Sequence, residues 1–166
     1  MIPFLAWLES TDFSTWMRES PSVFAFPAIL SCHTVGMGLV AGVNAAIALR
    51  ILGVAPAVPV GEMKRFLPVM WFGFWLNASS GVALLIGYPT KALTNPVFYL
   101  KLTLIAIAMV FGQLITRRLF QSTLPEDARR TGRMRIFAAA SLLSWASAIT
   151  AGRLLAYTYT HIMAGH

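Results

Sequence analysis

The chain has 166 residues, of which 57% are hydrophobic and 11% charged, where an ordinary soluble domain carries roughly 25% charged residues. Its net charge of +7 does not point to nucleic acid. The basic residues sit in the connections between long apolar runs, which is how membrane topology is written. The mean hydropathy of +0.69 and the length fit one bundle of about four spans rather than two domains, and the single cysteine, Cys32, excludes an internal disulfide.

The first 20 residues, MIPFLAWLESTDFSTWMRES, lack the basic start of a cleaved signal peptide. They mix Phe4, Leu5, Trp7, Leu8, Phe13 and Trp16 with Glu9, Asp12, Arg18 and Glu19. Such a mixture predicts one or two short amphipathic helices lying at the membrane surface, with the tryptophans at headgroup depth.

Ser20-Pro21-Ser22 breaks that segment, and Val23 to Leu49 follows as 27 residues without a charged side chain. At about 1.5 Å per residue the run is ample for a bilayer core of roughly 30 Å. It predicts the first transmembrane helix, ended by Arg50 and the turn GVAPAVPVG at 53–61. The second span is read at 68–88, the third at 97–116 and the fourth at 134–160. The whole is an all-α, up-down-up-down membrane four-helix bundle behind an interfacial segment at 1–20. No internal repeat stands out.

Arg50, Lys64 and Arg65 lie in the first connection, and six arginines lie in or beside the third, whereas the other side holds only Arg18 and Lys91. The positive-inside rule therefore predicts the first and third connections in the cytoplasm and both termini outside; with no organelle signal in the chain, a bacterial inner membrane is expected, and outside is then the periplasm. Small residues at intervals of four predict the helix contacts. They are Thr34, Gly38, Gly42 and Ala46 in the first span, Gly73, Asn77 and Gly81 in the second, and Ala140, Ser144, Ala148 and Gly152 in the fourth.

Under this topology His33, Lys101 and Arg153 all fall in the outer half of the bundle. A Lys or Arg at mid-helix costs at least roughly 2.5–3.5 kcal/mol on insertion scales, so such groups face an interior, a partner or a ligand, or snorkel to the headgroups. Tyr157 and His161 follow Arg153 on one helical face. Asn77 can approach from the second span. His33 is the candidate metal ligand: imidazole holds haem iron in helical bundles, and Gly36 and Gly38 nearby leave room for a porphyrin edge. Lys101 and Arg153 suit anionic groups of a haem or another guest. The second span offers no histidine as a further ligand, only Asn77, Ser79 and Ser80, and His161 is the remaining option. Copper(I) at Cys32, His33 and Met37 is a second reading, opposed by the angle of about 100° between consecutive helical residues. No acid lies inside a span, and no nucleophilic, phosphate-loop or zinc arrangement is present, so chemistry is expected in a cofactor or partner rather than in this chain alone.

The segments HTVGMGLVAG followed by ALRILG, NPVFYLKLTLIAIA, and WASAITAGRLLAY resemble a family of small bacterial four-helix inner-membrane proteins to which no activity is assigned. FYLK and the single early histidine are distantly similar to copper-resistance-D-like and b561-type membrane proteins, which implies haem or copper at His33. The expectation is a membrane subunit of an electron-transfer system that holds or approaches haem b or a quinone. It would work with other membrane or periplasmic subunits or a second copy of itself. The alternatives are a transporter or copper-handling protein, or a non-catalytic anchor for a larger assembly.

Overall fold

The computed structural model describes residues 2–120 and 132–163, with side chains for 3–120 and 132–155. Two short helices, α1 (Ile2–Glu9) and α2 (Asp12–Glu19), precede α3 (Phe26–Leu52). A 3-10 helix at Val60–Phe66 runs straight into α4 (Leu67–Gly87). A short α5 (Pro89–Leu93), α6 (Pro96–Phe120) and α7 (Gly132–Met163) complete the chain. Four helical stretches are long and apolar enough to cross a membrane: Phe26–Leu52, Val60–Gly87, Pro96–Phe120 and Gly132–Leu155. The protein is an all-helical, multi-pass membrane protein. Glu126, Asp127, Arg129 and Arg130 of the third connection lie outside the described residues, as do the side chains of Tyr157 and His161.

Local chemistry sets the helix ends. Thr11 caps α2 through its hydroxyl, which accepts from Ser14 N. Asn95 Oδ1 accepts from Val97 N at 2.9 Å ahead of Pro96, the pairing of a capping amide with a proline that needs no donor. At the far end of α3, Gly53 takes φ +103°, a left-handed conformation that closes the helix at little cost only in glycine. The first span therefore runs past Arg50 instead of stopping there. The Arg50 side chain is buried and folds back, its Nε donating to Val58 O and its Nη2 to Pro56 O at 2.8 Å. Similarly α6 keeps Arg117 and Arg118 in its last turn, where cations complement the helix dipole.

The N-terminal helices are tied to the bundle. Ser14 Oγ contacts both Leu8 O at 2.9 Å and Ile86 O at 2.8 Å. Met17, 1% exposed, fills the space beside Gly87, and Glu9 Oε1 accepts from Thr90 N. Phe4, Trp7, Phe13 and Trp16 remain exposed, in keeping with an interfacial segment.

Within the bundle α3 pairs with α4 and α6 with α7, and α3 against α7 joins the two pairs. The α3–α4 pair approaches to backbone contact. A Cβ built on Gly36 would lie 2.6 Å from Asn77 N and 2.8 Å from Gly73 O, and one on Gly73 would lie 3.0 Å from Gly36 O. Deeper in, buried Asn44 donates to Val40 O at 2.9 Å and points at Met70 Sδ at 3.2 Å. Its amide occupies the space that the absent side chain of Gly112 leaves on α6. Two of the small-residue stripes thus make contacts inside the bundle, with Gly73, Asn77 and Gly81 on α3 and Gly152 on Lys101. The stripe on α3 does not. Thr34, Gly38, Gly42 and Ala46 are exposed, and nothing lies within 4 Å of a Cβ built on Gly38 or Gly42. The adjacent stripe, Gly36, Val40, Asn44 and Ala48, is buried in its place. It carries the polar Asn44, which lipid cannot satisfy, and it has its own glycine for close approach.

The apolar core lies mainly toward the Arg50 end. Ile47, Ile51, Met63, Ile115, Leu119 and Met134 cluster there, and Val40, Ala41, Ala108 and Trp145 form a smaller cluster nearer mid-bundle. The contact at Gly36 gives a test in purified protein. Gly36→Leu forces two backbones apart and should cost about 1–3 kcal/mol, the range for overpacking a tight site. Gly38→Leu enters open space and should be neutral or stabilising by up to about 1 kcal/mol, the usual cost of a glycine inside a helix. Thermal unfolding in detergent reads both; equal melting temperatures would refute the contact.

Candidate functional site

Beyond the apolar core, toward the end that carries α1, α2 and α5, the bundle holds polar groups. His33 lies seven residues into α3, about 10 Å from its start at helical rise. It is half-buried against α4. Asn77, Ser80 and Gly81 meet it because residues three and four apart share one helical face.

The acceptors around Nδ1 favour one tautomer of the imidazole. His33 Nδ1 is 3.1 Å from Asn77 O and 3.3 Å from Ser80 Oγ. A carbonyl oxygen only accepts. The Ser80 hydroxyl gives its own proton to Leu76 O at 2.5 Å, so it too is an acceptor toward the ring. Both contacts require a proton on Nδ1, and the Nδ1–H therefore donates to α4. Asn77 Nδ2, 3.3 Å from the same nitrogen, directs its hydrogen bond to His33 O at 2.7 Å. In the neutral ring Nε2 is then a bare lone pair, and among the described residues nothing donates to it. Anchoring one nitrogen on a carbonyl to free the other is how proteins present histidine as a ligand or proton acceptor.

Lys101 supplies charge at the same end of the bundle. It sits five residues past the start of α6 at Pro96 and is half-buried. Gly152 of α7 leaves room for it: a Cβ there would lie 3.5 Å from Lys101 Cε and 3.6 Å from Nζ. Among the described residues the ammonium has no ion-pair partner.

No family model, no curated protein and no solved structure matches this chain. The site is therefore read from its geometry alone. Of the residues singled out in the sequence, the structure joins His33 and Asn77 by hydrogen bonds and sets Lys101 of α6 against Gly152 of α7. It does not bring Arg153 to them. Arg153 is exposed, because the α6–α7 contact needs the small Gly152 inward and turns its neighbour about 100° away. Cys32 is also exposed, while His33 turns to α4, so consecutive residues do not converge on one ion. Among the described residues no three His, Cys, Asp or Glu side chains gather. Gly36 gives no porphyrin notch either, since the α4 backbone fills the space beside it.

Ser80 is a buried participant that the sequence offered only in place of a histidine on the second span and did not assign to the site. Its signal was the spacing Asn77, Ser80, Gly81 on one face, opposite a lone histidine. The network can be measured. Asn77→Ala removes one hydrogen bond to His33 O and should cost about 0.5–1.5 kcal/mol, the net worth of such a bond. His33→Ala leaves that bond in place, because it runs to a backbone oxygen, so in a double-mutant cycle the two losses should add within about 0.5 kcal/mol. An unchanged melting temperature in Asn77→Ala would refute the bond.

Proposed function

We propose that this protein is the membrane subunit of a redox system in a bacterial inner membrane, with both termini periplasmic, and that it binds a quinone-class molecule at His33 and Lys101. The observation that carries this reading is the His33 ring held through Nδ1–H on the backbone of α4, which leaves Nε2 with no donor among the described residues.

The two groups are complementary to a flat, lipid-soluble guest that bears oxygen. Lys101 donates to a carbonyl or pairs with an oxyanion, and His33 Nε2 accepts a hydroxyl proton. A quinone, when bound, supplies two-electron chemistry coupled to protons, which this chain's side chains lack. The protein's part is to orient the oxygen, hold the proton at Nε2 and offer charge from Lys101. An electron-accepting centre belongs to a partner subunit. Haem b is the weaker fit, because the backbone contact at Gly36 and Gly73 leaves no slot between α3 and α4 for a macrocycle.

A short-chain ubiquinone added to protein in lipid nanodiscs tests the reading. His33→Ala and Lys101→Met should each weaken binding at least about tenfold, equivalent to roughly 1.4 kcal/mol, with the fold retained. Wild-type affinity in His33→Ala would overturn the quinone site. A reduced-minus-oxidised visible spectrum of freshly purified protein distinguishes haem: Soret and α bands that vanish in His33→Ala would replace the quinone by a haem at the same nitrogen.

A further inference from the structure

A second site lies at the opposite end of α3 and is independent of His33. Gly42, Val43, Ala46 and Ile47 of α3 face Met63 and Phe66 of the 3-10 segment across a hollow of about 170 Å³. Its lining is almost wholly apolar. It opens on the outer surface of the bundle, since Gly42 and Ala46 are exposed and a Cβ on Gly42 would meet nothing within 4 Å. In a multi-pass membrane protein that surface faces acyl chains.

On α3 the lining runs from Gly42 to Ile47, about 7 Å at helical rise, which is within the roughly 15 Å that one leaflet contributes to the hydrocarbon core. Arg65 lies over the Phe66 ring that closes the hollow, 5.3 Å from its centroid. At its mouth the same 3-10 segment that supplies Met63 and Phe66 carries Lys64 and Arg65. Arg65 is partly offset by Glu62, their atoms 3.5 Å apart and both side chains well exposed, a pair worth little in water. Lys64 is exposed and stands outside that pair. Two cations against one anion leave the mouth positive, beside an apolar groove of acyl-chain character.

We infer that this hollow binds an anionic phospholipid of the leaflet on the Arg50 side, one acyl chain lying along Gly42 and Ala46 and the phosphate pairing with Lys64 and Arg65. Charge at the mouth is what selects the occupant. A second copy of this chain would bring its own Lys64 and Arg65 against these if it docked by symmetry, whereas an anionic headgroup neutralises them. The lipid holds the 3-10 segment against α3 and so braces the turn that Arg50 organises from the other side.

The test uses delipidated full-length protein in mild detergent, titrated with an equimolar mixture of phosphatidylglycerol and phosphatidylcholine and read by native mass spectrometry. Wild type should retain phosphatidylglycerol at least about fivefold over phosphatidylcholine. Gly42→Leu fills the hollow without a clash and should reduce total lipid retention severalfold. Lys64→Gln should keep lipid but abolish the preference. Gly38→Leu, one turn away on the same exposed stripe and outside the hollow, should behave as wild type. Equal retention of the two lipids by wild type overturns the proposal, as does Gly42→Leu indistinguishable from wild type. A dimer mass in wild type that both Gly42→Leu and Gly38→Leu dissociate also overturns it, and assigns the face to a second copy.

Discussion

The backbone contact between α3 and α4 is the constraint on which the rest of the structure depends. Lipid tails are as apolar as leucine, so helices in a bilayer gain little from burying greasy surface against one another and must be held by close packing and hydrogen bonds. Gly36 against Gly73 and Asn77 supplies the packing. One turn away, Asn77 Nδ2 on His33 O and His33 Nδ1 on Asn77 O supply a reciprocal pair of hydrogen bonds across the same seam. Because each helix offers both a side chain and a backbone group to the other, the pair fixes their axial register as well as their distance. A slip of either helix by one turn would break both bonds and bring side chains onto the glycines.

That register decides what the two halves of the bundle can do. Near Arg50 the helices are filled in by Ile47, Ile51, Ile115 and Leu119, and no polar guest has a place there. Near α5 the same four helices carry His33, Asn77, Ser80 and Lys101, with Gly81 and Gly152 giving room to the ring and the ammonium. Polarity is thus concentrated at one depth, beneath a pair of short helices pinned by Ser14 and Met17. The buried indole of Trp145, whose Nε1 has no partner among the described residues, sits at the boundary between the two halves.

Most of the architecture was legible because membrane helices are written in long runs. The four spans, the paired surface helices and the break at Asn95-Pro96 follow from hydropathy, from proline and from capping chemistry. Small-residue periodicity was less informative. It named the right face on α4 and α7 and the wrong one on α3, where two stripes of small residues lie side by side and only the position of buried Asn44 separates them. The site was legible in part. His33, Lys101 and Asn77 could be found as polar residues in apolar runs at a common depth. Arg153 met the same criterion and yet lies outside, since a residue's depth comes from sequence position but its azimuth is set by the neighbour that packs. Gly152 packs, so Arg153 cannot. The tautomer of His33 was out of reach of sequence altogether, because it depends on which way a serine hydroxyl on another helix donates.

The exposed stripe on α3 carries the argument one step further. Glycine inside a helix costs about 1 kcal/mol relative to alanine, and that cost is usually offset by a close helix contact. Gly36 is offset in this way. Gly38 and Gly42 are not, for each faces open space, and with Thr34 and Ala46 they leave a smooth channel down the outside of α3. None of the described residues packs within 4 Å of a Cβ at Gly38 or Gly42. At Gly42 the channel widens into the hollow that Met63 and Phe66 roof, under the segment that carries Lys64 and Arg65. A helix that gives up stability on a face its own bundle does not need is shaped for something outside the chain, and here the charge above that face names the kind of molecule.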